Sequence, residues 1–386
     1  MNVIELSDII QSGETSKVQF KRDFDNQDKI AAEMIALSNA KGGMIIFGVE
    51  DKTGIVAGLD YVGLQSIGNR VATIANDLVK PQVYITTEVV SIDGKKVLIV
   101  YIEEGIAKPY KDNNGTIWVK QGADKRKLTD NNEIMRLFQQ SGILLADEMD
   151  VFGTSVDDID EQCFSGYFQK EFKTSWQEKG LTFEEALKAK KVLRNNRITL
   201  AGLLFFGKDP QTIRPAFTIK AVSFFGNDFS TNMYRSKPED FKGAIPMLFK
   251  QAMDFLKSNL RHAQKGQSFN SIGILEISET ALIEVVQNAL VHRDYFKNSP
   301  VRLFIFDDRV EIISPGKLPN TLTVEEIKYG NPVIRNNQIA MFSSHTLPYS
   351  GLGSGLKRAV NEQPDIEFIN DVEGEQFIVK IPREPM

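Results

Sequence analysis

Glu284, Asn288 and His292 recur every fourth residue in the run Glu284-Val-Val-Gln-Asn288-Ala-Leu-Val-His292. On a helix this spacing stacks them on one face, one turn apart. Asn288 can then offer a carbonyl oxygen to Mg²⁺, while Glu284 can orient an attacking water as a base. The same row also reads as a half-exposed polar helix face, and His292 as either a phosphate contact or a hydrogen-bonded structural histidine. Two later segments favour chemistry. Ser314-Pro315-Gly316 follows an apolar run and puts Gly316 where the backbone can approach a flat ligand. Gly351, Gly353 and Gly355 come just before a helical stretch whose first amides can cradle phosphates, although glycines so spaced also make a simple flexible turn.

These residues meet only if the right elements carry them. The pattern predicts helices over Ala244 to Leu260, Glu279 to His292 and Leu356 to Asn361. It predicts a strand over Ala216 to Phe225 and a hairpin over Val301 to Ile313 turning at Asp307-Asp308. Thr182 to Leu193 reads as a helix, and Thr199 to Phe206 as an apolar helix or strand. Earlier in the chain, helices are expected over Asp28 to Asn39, Leu64 to Val79 and Asn131 to Gln140. Met44 to Val49 is apolar throughout, as a strand buried on both faces would be. Gly54 and Gly58 bracket a short hairpin, and Asp93-Gly94 joins strands over Val83 to Val90 and Val97 to Ile102. Trp118 to Lys120 begins another strand. The acidic, aperiodic stretch Leu145 to Glu161 reads as a linker.

Length and composition bound the rest. A chain of 386 residues holds two or three domains of roughly 150 residues. Apolar residues at 42% and charged residues at 25% describe an ordinary globular protein of mixed α/β class. No apolar run approaches the ~20 residues of a membrane span. Acids near the start stand where a secretory signal carries Lys or Arg, so a cytoplasmic protein is expected. One cysteine, Cys163, forms no intrachain disulfide and reads as a packing residue. The net charge is −5, with 17 Lys and Arg against 19 Asp and Glu through residue 140, so any nucleic-acid surface must be a local patch.

The best such patch is Lys108, Tyr110, Trp118, Lys120, Lys125, Arg126 and Lys127, with Lys17, Lys21 and Arg22 as additions. Cations interleaved with aromatics suit phosphate tracking and base stacking. The alternative is a solvated strand edge protected by lysines. Gly42-Gly43 is most simply a helix stop.

Glu284 with Asn288, Ser314 with Gly316, and the three lid glycines, in that order, resemble the nucleotide fold of the GHKL ATPases, the superfamily of gyrase and the histidine kinases. The resemblance implies an α/β sandwich binding ATP and Mg²⁺. In it Glu284 is the base, Asn288 the Mg²⁺ ligand, Ser314 and Gly316 the adenine box, and Gly351, Gly353 and Gly355 the ATP lid, with His292 beside them. Ser314 stands where the superfamily usually has Asp; a hydroxyl accepts the adenine hydrogen bond without a carboxylate's charge.

A narrower resemblance rests on His292-Arg293-Asp294-Tyr295, Arg335-Asn336-Asn337 and Ala201 to Lys208. It also rests on Gly13-Glu14-Thr15, Phe20-Lys21, Ala36 to Ala40, Gly42-Gly43, Phe47-Gly48-Val49 and Lys108-Pro109-Tyr110. These look like bacterial transcriptional-regulator-type proteins that join a Schlafen-type AlbA domain to a divergent ATP-binding half. The resemblance implies a DNA- or RNA-binding domain over 1–143, a linker with connecting helices over 144–180 and the ATP-binding domain over 181–386. A homodimer without membrane association fits it. Related Schlafen nucleases hold metal on clustered acids, and Gln19 replaces one of them while Glu14 and Asp51 remain. Binding is therefore expected ahead of RNA cleavage, and a dimerising scaffold is the third reading.

Overall fold

Side-chain acceptors mark where the first four helices begin. Asn2 caps α1 (Val3–Ser12), Asn26 caps α2 (Gln27–Asn39), Asp60 caps α3 (Tyr61–Asp77) and Asp130 caps α4 (Asn131–Gln140). Each accepts from an otherwise orphaned amide of the first turn. Between them run β1 (Val18–Lys21), β2 (Gly43–Phe47), β3 (Val79–Lys80), β4 (Ile85–Ile92), β5 (Lys95–Ile102), β6 (Lys111–Asp112), β7 (Trp118–Gln121) and β8 (Asp124–Lys127). Four of them form a sheet in the order β1-β2-β5-β4, with β1 parallel to β2 and the other pairs antiparallel. Asp93 (φ 49°) and Gly94 (φ 75°) turn the β4–β5 hairpin through paired left-handed residues, as the Asp-Gly dipeptide foretells.

The apolar runs of β2 and β5 serve two cores at once. Ile45, Phe47, Leu98, Val100 and Ile102 pack with Met34 of α2 and Val71 of α3. Ile46, Val97 and Ile99 pack on the other face with Leu6 of α1. Period-two alternation explains why neither strand shows a polar face.

The structure, a computed structural model, describes residues 1–51, 53–229, 233–263, 273–319, 322–330, 333–349, 351 and 353–383. Ser350 and Leu352 of the glycine segment lie outside the described residues. The chain divides into two units, Met1–Leu144 and Leu145–Met386. In the second come α5 (Glu161–Phe172), α6 (Phe183–Ala189), β9 (Leu193–Arg194), β10 (Arg197–Ile198), α7 (Leu200–Phe206), α8 (Pro210–Ile213), β11 (Ile219–Phe224), β12 (Tyr234–Ser236) and α9 (Ile245–Asn259). There follow β13 (His262–Ala263), β14 (Ile274–Leu275), α10 (Glu279–Val291), β15 (Val301–Ile305), β16 (Arg309–Pro315), α11 (Val324–Tyr329), α12 (Asn337–Thr346), α13 (Gly355–Glu362), β17 (Glu367–Asp371) and β18 (Gln376–Pro382). Six strands make a sheet in the order β12-β11-β15-β16-β18-β17, in which β11 and β15 are parallel. Helix α10, buried almost all round, packs on β16 and carries the Glu284 row.

The stretch expected as a linker is built into the second unit. Ala146, Val151 and Ile159 belong to its core, followed by Phe164, Tyr167, Phe168 and Trp176 in an aromatic cluster. Two of its acids serve the fold, while Asp157 and Glu161 stay exposed. Buried Asp147 accepts from the amides of Gln338 (2.7 Å) and Ile339 (3.2 Å) at the start of α12, and Asp160 caps α5 through the Cys163 amide (3.0 Å). Among the described residues no helix is long and apolar enough to cross a membrane.

Candidate functional site

Eight residues from three separate segments come together in the second unit. Glu284, Asn288, His292, Ser314, Gly316, Gly351, Gly353 and Gly355 all line one cleft of about 1050 Å³. Helix α10 and its C-cap residue bring the first three, the end of β16 and the residue after it bring Ser314 and Gly316, and the chain leading into α13 with its first residue brings the last three glycines. Ile312 of β16, Phe377 and Val379 of β18, and Leu318 and Ile327 make its apolar lining.

Glu284 is only 4% exposed, and both its oxygens are engaged. Oε1 accepts from Arg358 Nε (3.0 Å) and from Nη2 of the same guanidinium, while Oε2 accepts from Gln287 Nε2 (2.6 Å). Asn288 donates Nδ2 to the Glu284 carbonyl (2.6 Å), which leaves Oδ1 as the end available to a cation. Burial, reinforced by the neighbouring Arg335 charge, pushes the His292 ring down to about 4, so it is neutral at pH 7. Its Nε2 lies 3.2 Å from Tyr349 Oη.

Ser314 donates its hydroxyl to the Ala289 carbonyl (2.9 Å), joining β16 to α10. Its oxygen keeps only acceptor capacity for a ligand. Gly316 sits at φ +103°, and a Cβ there would fall 2.4 Å from Asp294 Cβ and 2.7 Å from Arg335 Nη1. A Cβ on Gly355 would fall 2.3 Å from Glu284 Oε2. Close approach and a left-handed φ require glycine at 316, whereas at 355 an added Cβ would meet the end of the Glu284 side chain, which would have to shift.

The motifs next to the cleft are braces. Asn336 Nδ2 donates to the carbonyls of Val291 (2.8 Å) and Arg293 (2.9 Å), satisfying orphan acceptors at the end of α10. Buried Arg293 lies between the rings of Phe217 and Tyr295, 4.6 and 4.8 Å from their centres. Arg358, Gln287 and Tyr349 escape a motif reading. In the sequence Arg358 stands out only as a cation just after the glycine segment.

The first unit disperses its candidates. Lys108 and Tyr110 are core residues, 2% and 5% exposed. Lys108 Nζ binds the Ala40 carbonyl (2.9 Å) and Glu104 (2.6 Å), and burial pushes its ammonium below the ordinary lysine value. The β7–β8 pairing sets Trp118 opposite Lys127 and Lys120 opposite Lys125 on one face of the hairpin. That face lies over α2. There Lys125 Nζ reaches buried Glu33 Oε1 (2.6 Å), and Lys120 Nζ stands 3.6 Å from Oε2 and bonds Gln19 Oε1 (3.0 Å). Arg126 makes a two-pronged pair with Glu133, and Lys21 pairs with Asp51 (2.7 Å). Trp118 bonds Asp112 (3.2 Å) and carries the Lys127 ammonium over its ring at 5.5 Å. The expectation of one open basic-aromatic surface over Lys108 to Lys127 is therefore corrected: Lys108 and Tyr110 are buried, Lys120 and Lys125 are drawn to the distant Glu33, Trp118 and Arg126 pair with the nearby Asp112 and Glu133, and Lys127 is left exposed.

The acids of the nuclease reading are likewise engaged. Glu14 Oε1 accepts from the Gln19 amide group and from the Phe20 amide (2.8 Å). Among the described residues no three His, Cys, Asp or Glu side chains stand together as a metal site.

Three family models match. One described as Schlafen, AlbA_2 covers residues 14–129, and one described as Putative ATP-dependent DNA helicase recG C-terminal covers 298–377. A domain of unknown function covers 135–220. The second match starts after α10, so it contains Ser314, Gly316, Gly351, Gly353 and Gly355 but not Glu284 or Asn288. No curated protein matches the chain. Among solved structures, the DIP2311 protein from Corynebacterium diphtheriae aligns over 99% of this chain and 80% of its own at 19% identity, with a TM-score of 0.47. The N-terminal domain of a putative ATP-dependent DNA helicase RecG-related protein from Nitrosomonas europaea aligns over 34% of this chain and 96% of its own, at 19% identity and a TM-score of 0.26. The chain thus carries a Schlafen/AlbA_2 domain in its first unit and an ATPase-like domain of the recG C-terminal family in its second.

Proposed function

We propose that the second unit binds ATP with Mg²⁺ in the α10–β16 cleft, and that the protein acts in the cytoplasm on nucleic acid, DNA foremost, as a transcriptional regulator. The convergence of eight residues from three sequence segments on one cleft carries the nucleotide reading. An apolar lining suits the faces of adenine, and Ser314, its proton already given to Ala289, presents lone pairs to an amino group. Asn288 Oδ1 suits Mg²⁺, which takes one or two protein oxygens and completes its shell with phosphates and water. When bound, the ion would neutralise phosphate charge. Glu284 is the residue placed to take a proton from water once its own partners release it.

The Schlafen/AlbA_2 match supports nucleic-acid contact by the first unit, with Lys127 as an exposed cation of the β7–β8 hairpin. A thermal-shift titration with Mg²⁺-ATP tests the cleft. A ligand in hundredfold excess over Kd stabilises the folded state by about 2.7 kcal/mol, which moves the midpoint of a unit this size by roughly 5–10 °C. The wild type should show that saturable rise and Asn288→Ala should lose most of it; a flat wild-type curve overturns the reading.

A further inference from the structure

Arg358 belongs to none of the motifs, yet it controls the residue on which hydrolysis would depend. Its Nε and Nη2 both bind Glu284 Oε1, and its Nη1 binds Ser354 Oγ (3.0 Å). With Gln287 on Oε2, both carboxylate oxygens are engaged, and Oε1 is filled by its two Arg358 donors. A base must lie within hydrogen-bond reach of the proton it takes, and Oε1 has no lone pair left for one while Arg358 holds it.

The clamp is built to be undone. Glu284 is 5% exposed at the side chain but Arg358 is 42% exposed, so the guanidinium can leave without crossing a packed core. It rides on α13, a helix of 8 residues entered through Gly351 and Gly353, both at positive φ, and Gly355. A guanidinium recognises phosphate through the same planar fork that grips a carboxylate.

We propose that Arg358 has two alternative partners: Glu284, as seen here, and the terminal phosphate of a nucleoside triphosphate in the cleft. The exchange frees Glu284 Oε1 to accept a proton from water, so that oxygen is uncovered only when a triphosphate is in place. This rests on the nucleotide reading of the cleft and adds that the ligand must carry phosphates long enough to reach α13.

Isothermal titration of the full chain with Mg²⁺-ATP and with adenosine tests it. Arg358→Ala should lose about tenfold in ATP affinity while adenosine affinity changes less than twofold. Arg358→Lys, which keeps the charge but not the fork, should fall between. If Arg358→Ala binds neither ligand, Arg358→Lys decides in the same way: lowered ATP affinity with adenosine retained supports the exchange. Proportional losses for both ligands mean that Arg358 merely props the fold, and unchanged ATP affinity means that it never meets the phosphate; either overturns the proposal while the cleft reading stands. A wild type that binds no ATP removes both together.

Discussion

Glu33 and Glu284 invite comparison. Each lies inside a buried helix, each is 4% exposed, and each is held by cations from far along the chain, Lys125 lying 92 residues from Glu33 and Arg358 lying 74 from Glu284. Their covers differ. Over Glu33 lies a paired hairpin whose Lys120 and Lys125 side chains are 3% and 21% exposed. Beside Glu284 opens a cleft, and its partner is a half-exposed arginine on a short helix behind glycines. The same pairing chemistry therefore makes a fixed joint in one unit and a releasable contact in the other. What decides is how firmly the segment carrying the cation is itself held.

Removing the first acid should have the largest effect. Glu33→Ala strands Lys120, whose ammonium burial already disfavours, and breaking a buried pair on one side costs about 3 kcal/mol. Hydrogen exchange should show that loss in the α2 amides, with the second unit unchanged. A loss under about 1 kcal/mol would break the comparison, because Glu33 would then be no more fixed than a surface pair.

The second unit is not loose throughout, and Gly316→Ala sharpens that point. A Cβ would meet Asp294 Cβ and Arg335 at a position with φ +103°, so the expected cost is about 2 kcal/mol. At Gly351 the nearest atom to an added Cβ is Tyr349 Cε1 at 3.7 Å, and only the positive φ (+67°) resists substitution, at about 1 kcal/mol. Thermal melts of the two variants should rank in that order. The reverse would mean that the cleft wall at Gly316 yields more readily than the glycine segment before α13.

The parts of this structure legible in the sequence are those where local pattern and burial agree. Helix α10 shows in its four-residue row, β2 and β5 show as apolar runs because both their faces are covered, and Asp93-Gly94 marks its hairpin. Strand β8 does not show. Asp124-Lys125-Arg126-Lys127 has no strand pattern, and it is held in place by pairing with β7 and by Glu33, which a linear reading does not bring near. Strand β1 and helix α1 are too short and mixed to stand out. Residues 145–161 look solvent-facing in the sequence because acids that cap helices resemble acids that face water. In the site, residue types that bind ligands are readable, but the side chains that restrain them, Arg358 and Gln287, are not, since restraint is a property of three-dimensional contact.

Lys127 gives the smallest expected effect and the finest test of what the hairpin leaves free. If Lys120 and Lys125 serve Glu33, affinity for a nucleic-acid backbone must come from cations outside the joint, of which Lys127 on the Trp118 ring is one and the exposed Lys17, Arg22 and Lys111 are others. Removing one cation from a phosphate lowers the slope of log affinity against log salt by about one at most. Lys127→Ala should therefore weaken retention of duplex DNA about twofold in a gel-shift series and reduce the slope by less than one, without moving the melting temperature. Lys125→Ala should do the opposite, lowering stability while leaving the slope alone. Equal slope changes in the two variants would mean that the hairpin swings off α2 when DNA binds, and Glu33 would then be a releasable contact like Glu284.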